Sequence, residues 1–285
     1  MGHIELSFST NAFVRFDVLE AVERIGQIGY RGVELLADVP HLYADSVIES
    51  HLESLKLGLD KNGLKVANIN ANTAMGFYGQ QFWEPLFEPS IANPDQELRQ
   101  WRVRYSKRCI DMAQFLGCSC ISVTSGRPIP GVTPEKSLEF LEESMTELLI
   151  YAENKAVRIG LEYEPRLLIE RYEELASFMQ KMNSTYLGAN LDLGHSHVLG
   201  EDPEDVIGGL SSKIFHVHLE DIRGSKHYHL IPGTGDIDFH NLLKNLDSSG
   251  YEGFVTVELY TYPQDPELAA RQSFSYLENV LHTNE

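Results

Sequence analysis

Short apolar runs alternate along this chain with longer segments in which apolar residues recur every three or four positions. Apolar runs without strict alternation are typical of strands buried on both faces of a sheet. Spacing of the kind shown by Leu138, Leu141, Met145 and Leu148 indicates a helix packed along one side. Eight such strand–helix pairs follow one another, so the pattern predicts a closed (β/α)8 barrel rather than an open sheet.

The predicted elements fill the 285 residues without an intervening linker, so we expect residues 1–285 to form a single TIM-barrel domain. No G-x-G-x-x-G follows the first strand, so nothing indicates a dinucleotide-binding fold. The predicted strands are 4–10, 32–37, 65–71, 120–125, 158–164, 186–192, 213–219 and 254–259. The predicted helices lie near 17–28, 46–62, 97–116, 134–155, 171–182, 203–209, 239–248 and 266–281.

One irregular stretch, 73–96, interrupts this alternation after the third strand. Loops of this length inside compact domains are usually lids or binding loops. We expect it to cover the site and to contact either the substrate or a second subunit; packing of its aromatic residues on the barrel is the alternative. Its aromatic residues are Phe77, Tyr78, Phe82, Trp83 and Phe87.

The charge balance limits the partners that the chain can have. Lys and Arg number 23 against 42 Asp and Glu, a net charge of −19, which opposes nucleic acid and anionic membrane surfaces. No signal peptide and no apolar run of about 20 residues is visible, and three cysteines cannot form a disulfide framework. We therefore expect a cytoplasmic protein with three buried cysteines.

Four residues with ligand side chains stand at the ends of apolar runs in the second half of the chain. Glu162 ends IGLE, Asp192 ends YLGANLD, His218 ends IFHVH and Glu258 ends FVTVE. Because the carboxyl ends of parallel strands share one face, these side chains should converge. Three carboxylates and one imidazole suit one divalent cation. We expect Mn²⁺, Mg²⁺ or Co²⁺, with Zn²⁺ as the alternative. A structural polar network is the alternative.

Several neighbours of these residues are further candidates. Glu164 has the same strand parity as Glu162, so both can face inward. Either could bind the cation; we expect Glu162 to bind it and Glu164 to contact substrate. His216 has the parity of His218 and is expected to fill the barrel interior. His195, three residues after Asp192, is expected to bind substrate, with a second metal ion as the alternative.

The segment after the seventh strand adds five more side chains. Arg223 offers planar donors for substrate oxygens, and His229 is a second substrate-binding candidate. Glu220, Lys226 and His227 are expected to be mostly solvated loop residues.

The chemistry follows from what is present and what is missing. No serine-nucleophile elbow, C-x-x-C pair or H-E-x-x-H motif occurs. Two carboxylates on a metal can instead act as acid and base across a bound sugar: one takes a proton from a carbon beside the carbonyl and the other returns it. The metal would stabilise the enediolate.

From residue 4 to about 280 the chain resembles the xylose-isomerase-like TIM-barrel superfamily of sugar phosphate isomerases and epimerases. The motifs that carry the resemblance are IGLE at 159–162, LDLGH at 191–195, HVHLED at 216–221, the run from His229 to Phe239, and GYEGFVTVE at 250–258. A DNA-repair branch shares two of them, but three ligands of its zinc cluster are replaced here, and the charge opposes DNA.

The resemblance implies roles for individual residues. Glu162, Asp192, His218 and Glu258 match the metal ligands, and in the ketose 3-epimerase branch Glu162 and Glu258 would also be the acid–base pair. The same branch implies substrate contacts at Arg166 and His195. We expect a metal-dependent isomerase or epimerase of a small polyhydroxy substrate, with a homo-oligomer left open. A metal-dependent lyase such as a 3-dehydroshikimate dehydratase, or a non-catalytic sugar-binding barrel, is the alternative.

Overall fold

Eight parallel strands close into a barrel in the computed structural model, which describes residues 4–82 and 84–283. Neighbours in sequence are neighbours in the barrel, and the last barrel strand returns to the first, with Ile4 opposite Gly253 and Phe8 opposite Val257. The predicted barrel is confirmed. The barrel strands are β1 (Ile4–Ser9), β2 (Gly32–Leu36), β3 (Lys65–Asn70), β4 (Cys120–Thr124), β5 (Arg158–Glu162), β6 (Leu187–Asp192), β7 (Ile214–Leu219) and, after the hairpin strands β8 (Asp221–Arg223) and β9 (Lys226–Leu230), β10 (Gly253–Val257).

Helices cover the outside of the barrel, and local sequence explains where they begin and end. Thr133 caps α4 by accepting a hydrogen bond from the Lys136 amide, and Pro134 occupies the first turn. Gly117, at φ 73°, ends α3 in the left-handed region. The helices are α1 (Val18–Ile28), α2 (Glu49–Asn62), α3 (Gln96–Leu116), α4 (Pro134–Lys155), α5 (Tyr172–Met182), α6 (Leu193–Val198), α7 (Pro203–Leu210), α8 (Phe239–Ser248) and α9 (Pro266–Thr283).

The predicted boundaries differ from these by three residues or fewer, but helix α6 and the β8–β9 hairpin were not predicted. Helix α6 is six residues long, too short for a periodic pattern to show. The β8–β9 hairpin was interpreted as an irregular loop. It is anchored by the buried Asp221 carboxylate, which accepts hydrogen bonds from the amides of Gly233 (2.9 Å), Gly235 (2.7 Å) and Ile237 (3.1 Å). A Cβ on Gly235 would lie 2.3 Å from Asp221 Oδ1, so only glycine fits there.

The stretch 73–96 leaves the carboxyl end of β3, on the face where the barrel strands end. Its first turn is fixed by the buried Asp38 carboxylate, which accepts from Thr73 Oγ1 (2.5 Å) and from the amides of Met75 (2.7 Å) and Gly76 (2.7 Å). Phe77 packs on Trp101 of α3 at 4.6 Å between ring centroids. Of the other aromatic residues, Tyr78 and Phe82 are exposed, Phe87 is buried, and Trp83 lies outside the described residues. The role of this stretch as a cover over the site stays a prediction.

Two further expectations can be compared with the structure. Cys109, Cys118 and Cys120 are free and buried, as expected. Within residues 4–82 and 84–283, no helix has both the length and the apolar character that crossing a bilayer requires.

Candidate active site

The four residues at the strand ends come together at the centre of the barrel mouth. Their ligand atoms all lie within 4.8 Å of one another, and all four residues are buried. His218 Nδ1 is 3.4 Å from Glu162 Oε1, 3.8 Å from Glu258 Oε2 and 4.0 Å from Asp192 Oδ2. The imidazole nitrogen therefore faces one oxygen of each carboxylate.

Glu162 is held by two asparagine amides. Asn190 Nδ2 donates to Glu162 Oε2 at 2.7 Å, and Asn72 Nδ2 donates to the same oxygen. Asn190 lies on β6, two residues before Asp192, and Asn72 follows β3. Because both amides bind Oε2, Oε1 is left to face His218.

Glu258, one residue after β10, is held in the same way. Asn11 Nδ2 (2.9 Å) and Asn70 Nδ2 (3.0 Å) both donate to Glu258 Oε1. Its Oε2 faces the centre. Burial, the largest cause, together with the nearby Glu162 carboxylate, raises the pKa of Glu258 well above its ordinary value.

His218 is oriented from behind by Glu34 of β2. The distance from His218 Nε2 to Glu34 Oε2 is 2.6 Å, and Asn68 Nδ2 donates to the same carboxylate oxygen at 2.8 Å. Burial alone would lower the pKa of His218, but the carboxylates of Glu34, Glu258 and Glu162 outweigh it and raise the pKa well above its ordinary value. A carboxylate that accepts from one ring nitrogen directs the other toward a metal, which is a common arrangement at metal-ligating histidines.

Asp192 provides the test of whether a cation fits here. Its Oδ1 accepts from the His195 amide at 2.9 Å, whereas Oδ2 is buried with no hydrogen-bond partner among the described residues. A buried carboxylate oxygen without a partner is costly. Three carboxylates and one imidazole around one point match the donors of Mn²⁺, Mg²⁺ or Co²⁺, so the residues present fit such an ion.

Three histidines form a second cluster beside the first. It consists of His195 on α6 and of His227 and His229 on β9, with ligand nitrogens within 4.8 Å of one another. Burial lowers the pKa of His229 to about 4 and that of His227 to about 2. For His195, burial is opposed by Asp192, Glu164 and Glu162, which raise its pKa.

The other sequence candidates are more scattered. Glu164 is half-buried. Burial is the main reason that its pKa is raised to about 7, and the nearby Glu162 and Asp192 carboxylates add to the rise. Arg166 is exposed at φ 75°, and Arg223 is exposed with its guanidinium donating to the carbonyl of Thr234. The structure does not bring either arginine into the buried cluster. The substrate-binding roles expected of Glu164, Arg166, Arg223, His195 and His229 stay predictions.

One expectation in this region was wrong. Glu220, interpreted as a solvated loop residue, is fully buried. His216 is also buried and fills the barrel interior, as expected. A Cβ on Gly194 would lie only 1.7 Å from Glu220 Oε1, so the glycine of LDLGH makes room for this carboxyl group. His227 is half-buried, whereas Lys226 is exposed.

The sequence interpretation also missed the residues that hold the ligands. Glu34 and the asparagines carry no motif of their own. A usable signal is parity: Asn68 and Asn70 on β3, and Asn190 before Asp192, alternate with apolar residues and must share one side of their strand.

Comparison with known proteins adds a family to this geometry. The model of the xylose isomerase-like TIM-barrel family matches residues 22–280. Fructoselysine 3-epimerase of Shigella flexneri is 26% identical over 276 residues, covering 95% of this chain and 96% of that protein. A putative hydroxypyruvate isomerase of Streptomyces coelicolor is 28% identical over 293 residues, covering 97% of each.

Similar folds and one partial relative complete the comparison. A D-tagatose 3-epimerase-like protein superposes with a TM-score of 0.83 at 20% identity, covering 98% of both chains. The IOLI protein, solved with a zinc atom, gives 0.80 at 20% identity over 99% of both chains. Inosose dehydratase of Clostridium perfringens is 28% identical over 155 residues, 48% of this chain and 51% of that protein.

Proposed function

Since this chain belongs to the xylose isomerase-like TIM-barrel family, we propose that it is a divalent-metal-dependent isomerase or epimerase of a small sugar or sugar phosphate. Glu162, Asp192, His218 and Glu258 would hold the cation. When bound, that ion supplies Lewis-acid polarisation of the substrate carbonyl, which makes the neighbouring C–H more acidic. The relatives named as an epimerase and an isomerase of carbonyl compounds support this reaction class.

The paired support of the two glutamates carries the proposal. Each carboxylate has one oxygen fixed by two asparagine amides and the other aimed at the common centre. Fixed carboxylates on two sides of a bound carbonyl compound can divide the proton work. Either Glu162 or Glu258 takes the proton from the carbon beside the carbonyl, and the other returns a proton to the planar product of that step. The product then depends on which face and which carbon receives the proton.

The experiment measures incorporation of solvent deuterium into a panel of ketoses, aldoses and their phosphates with Mn²⁺ added. Glu258→Gln keeps the size and one oxygen but removes the base, so exchange should fall by about 100-fold or more with a milder loss of metal. Asp192→Ala should mainly release metal. Glu252→Gln, an exposed change just before β10, is the matched control and should exchange normally.

A dehydratase is the second candidate, because inosose dehydratase matches about half of this chain. The same two glutamates would then remove a proton and assist departure of a hydroxyl group. Loss of water from a cyclic polyol or hydroxy acid, with no deuterium exchange into any sugar of the panel, would replace the isomerase proposal. Sugar binding without turnover of either kind would indicate a binding barrel.

A further inference from the structure

A buried arginine of helix α3 lies behind the segment that supports both candidate acid–base glutamates. Arg102 is 3% exposed. Its guanidinium donates to four backbone carbonyls: Nε to Pro89 (2.8 Å), Nη1 to Thr73 (2.9 Å) and Ala71 (3.2 Å), and Nη2 to Phe87 (3.5 Å). Five N–H groups in a rigid planar fork allow one side chain to bind several oxygens at fixed positions. Because Ala71 and Thr73 flank Asn72, Arg102 fixes the backbone on both sides of that asparagine.

The segment 70–72 connects the two glutamates through hydrogen bonds. Asn72 Nδ2 donates to Glu162 Oε2, and the Asn72 backbone amide donates to Asn70 Oδ1 at 3.2 Å. Asn70 Nδ2 in turn donates to Glu258 Oε1 at 3.0 Å. One short segment therefore orients a carboxylate on either side of the centre, so a shift of its backbone would move both.

Opposite charges hold the chain after this segment. The Thr73 carbonyl accepts from Arg102 Nη1, and the Thr73 hydroxyl donates to Asp38 Oδ2. The backbone amides of Met75 and Gly76 also donate to the Asp38 carboxylate. Arg102 thus binds carbonyls and Asp38 binds amides of one continuous turn, and hydrogen bonds to charged groups are the stronger ones. The position of the backbone here is set by side chains outside the loop.

We propose that Arg102 is a positioning residue for the reaction, which holds the amides of Asn70 and Asn72 at the geometry that the two glutamates need for proton transfer. A misplacement of about 1 Å at a reacting group can slow a reaction by about 100-fold. Arg102 lies behind the segment and acts on the glutamates through these asparagines. Its effect on rate rests on the proposed function, whereas its effect on the orientation of Asn72 can be measured without substrate or metal.

A role in loop folding alone is the alternative, and a second arginine of α3 allows the two roles to be separated. Arg99, one turn earlier, is 7% exposed and donates to the carbonyls of Asn93 (2.7 Å) and Pro94 (3.4 Å). These carbonyls belong to the far end of the stretch 73–96. Both arginines therefore hold this stretch, but only Arg102 contacts the backbone beside the supporting asparagine.

The first measurement records the side-chain amide signals of the metal-free full chain by ¹⁵N NMR. The pair of signals that disappears in Asn72→Ala identifies the Asn72 amide. Arg102→Lys keeps the positive charge but not the planar fork, so the Asn72 signals should shift, whereas Arg99→Lys, the matched control, should leave them in place. Arg102→Gln replaces Arg102→Lys if that protein melts early. Unchanged Asn72 signals in the Arg102 variant would overturn the proposal, whatever reaction the chain catalyses.

The second measurement is a double-mutant cycle on the rate of deuterium exchange with Mn²⁺ added. Arg102→Lys should lower kcat by about 10- to 100-fold with little change in KM, and Arg99→Lys should keep kcat. Because Arg102 acts partly through Asn72, the loss in the double variant Arg102→Lys/Asn72→Ala should be smaller than the product of the two separate losses.

Two results of the cycle would contradict this role. Losses that multiply, or an equal loss of kcat in Arg99→Lys, would show that Arg102 serves only loop folding. Absence of exchange in the wild type would instead count against the proposed function, and the Asn72 amide signals then decide the role of Arg102 by themselves.

Discussion

At the scale of single residues, the site depends on polar side chains that hold the candidate ligands from behind. Glu34 shows this best: its carboxylate accepts from Asn68 Nδ2 at 2.8 Å and Asn70 Nδ2 at 3.2 Å, and it faces His218 Nε2 at 2.6 Å. It touches the proposed cation only through His218. Its effect should therefore be on the orientation and basicity of that ligand.

Glu34→Gln should weaken Mn²⁺ binding by about 10- to 100-fold, as loss of such supporting groups typically does. The amide keeps the volume but lacks the charge that accepts from His218. Isothermal titration of the metal-free protein measures the change, and Glu5→Gln at the exposed start of β1 is the control. An unchanged dissociation constant would show that Glu34 serves only the fold.

At the scale of elements, loops as well as strands complete the site. None of the residues Met75–Tyr78 is buried. The turn 73–78 is instead fixed by the buried Asp38 carboxylate, which accepts hydrogen bonds from the Thr73 hydroxyl and from the amides of Met75 and Gly76. Space is also tight, since a Cβ on Gly76 would lie 2.3 Å from the Tyr43 ring. This turn leads to Asn72 and through it to Glu162.

Asp38→Ala should release this turn, because the three donors of the turn lose a charged acceptor. Hydrogen bonds to charged groups contribute about 1.5–3 kcal/mol each, and partial rehydration leaves a net loss of about 2–4 kcal/mol in the free energy of unfolding. Denaturant unfolding measures that loss, and limited proteolysis should cut within 73–96 faster. Glu53→Ala on the exposed side of α2 is the control; equal stability and cleavage in both variants would contradict this role.

At the scale of the whole molecule, barrel closure concentrates negative charge at one point. The carboxyl ends of four neighbouring strands, β5, β6, β7 and β10, bring Glu162, Asp192 and Glu258 together, with His218 as the facing imidazole. The unfolded chain has no such site. A divalent cation should therefore bind the native state alone and stabilise it.

Saturating Mn²⁺ should raise the melting temperature relative to chelated protein. An ion at 100 times its dissociation constant adds about 2.7 kcal/mol, worth several degrees in a chain of this size. Differential scanning calorimetry measures the shift, and Asp192→Asn should abolish most of it while Glu252→Gln retains it. Identical melting with and without Mn²⁺ in the wild type would count against a cation at this centre.

The barrel and the four residues at its mouth could both be predicted from the sequence. Both are local properties: an apolar run of five or six residues forms a buried strand, and the residue that ends the run must lie on the carboxyl face. Glu162, Asp192 and His218 could therefore be placed together before any distance was known. Their proposed roles as ligands came from side-chain chemistry and from the family resemblance.

The groups that contact these four residues could not be predicted in the same way, because they come from distant parts of the chain. Asn11 reaches Glu258 across 247 positions of sequence because β1 closes against β10. His227 reaches His195 because the β8–β9 hairpin folds back over α6. Such contacts depend on barrel closure and hairpin register, which no local sequence pattern encodes. The same three residues, His227 to His229, would lie in solvent if they formed an extended loop.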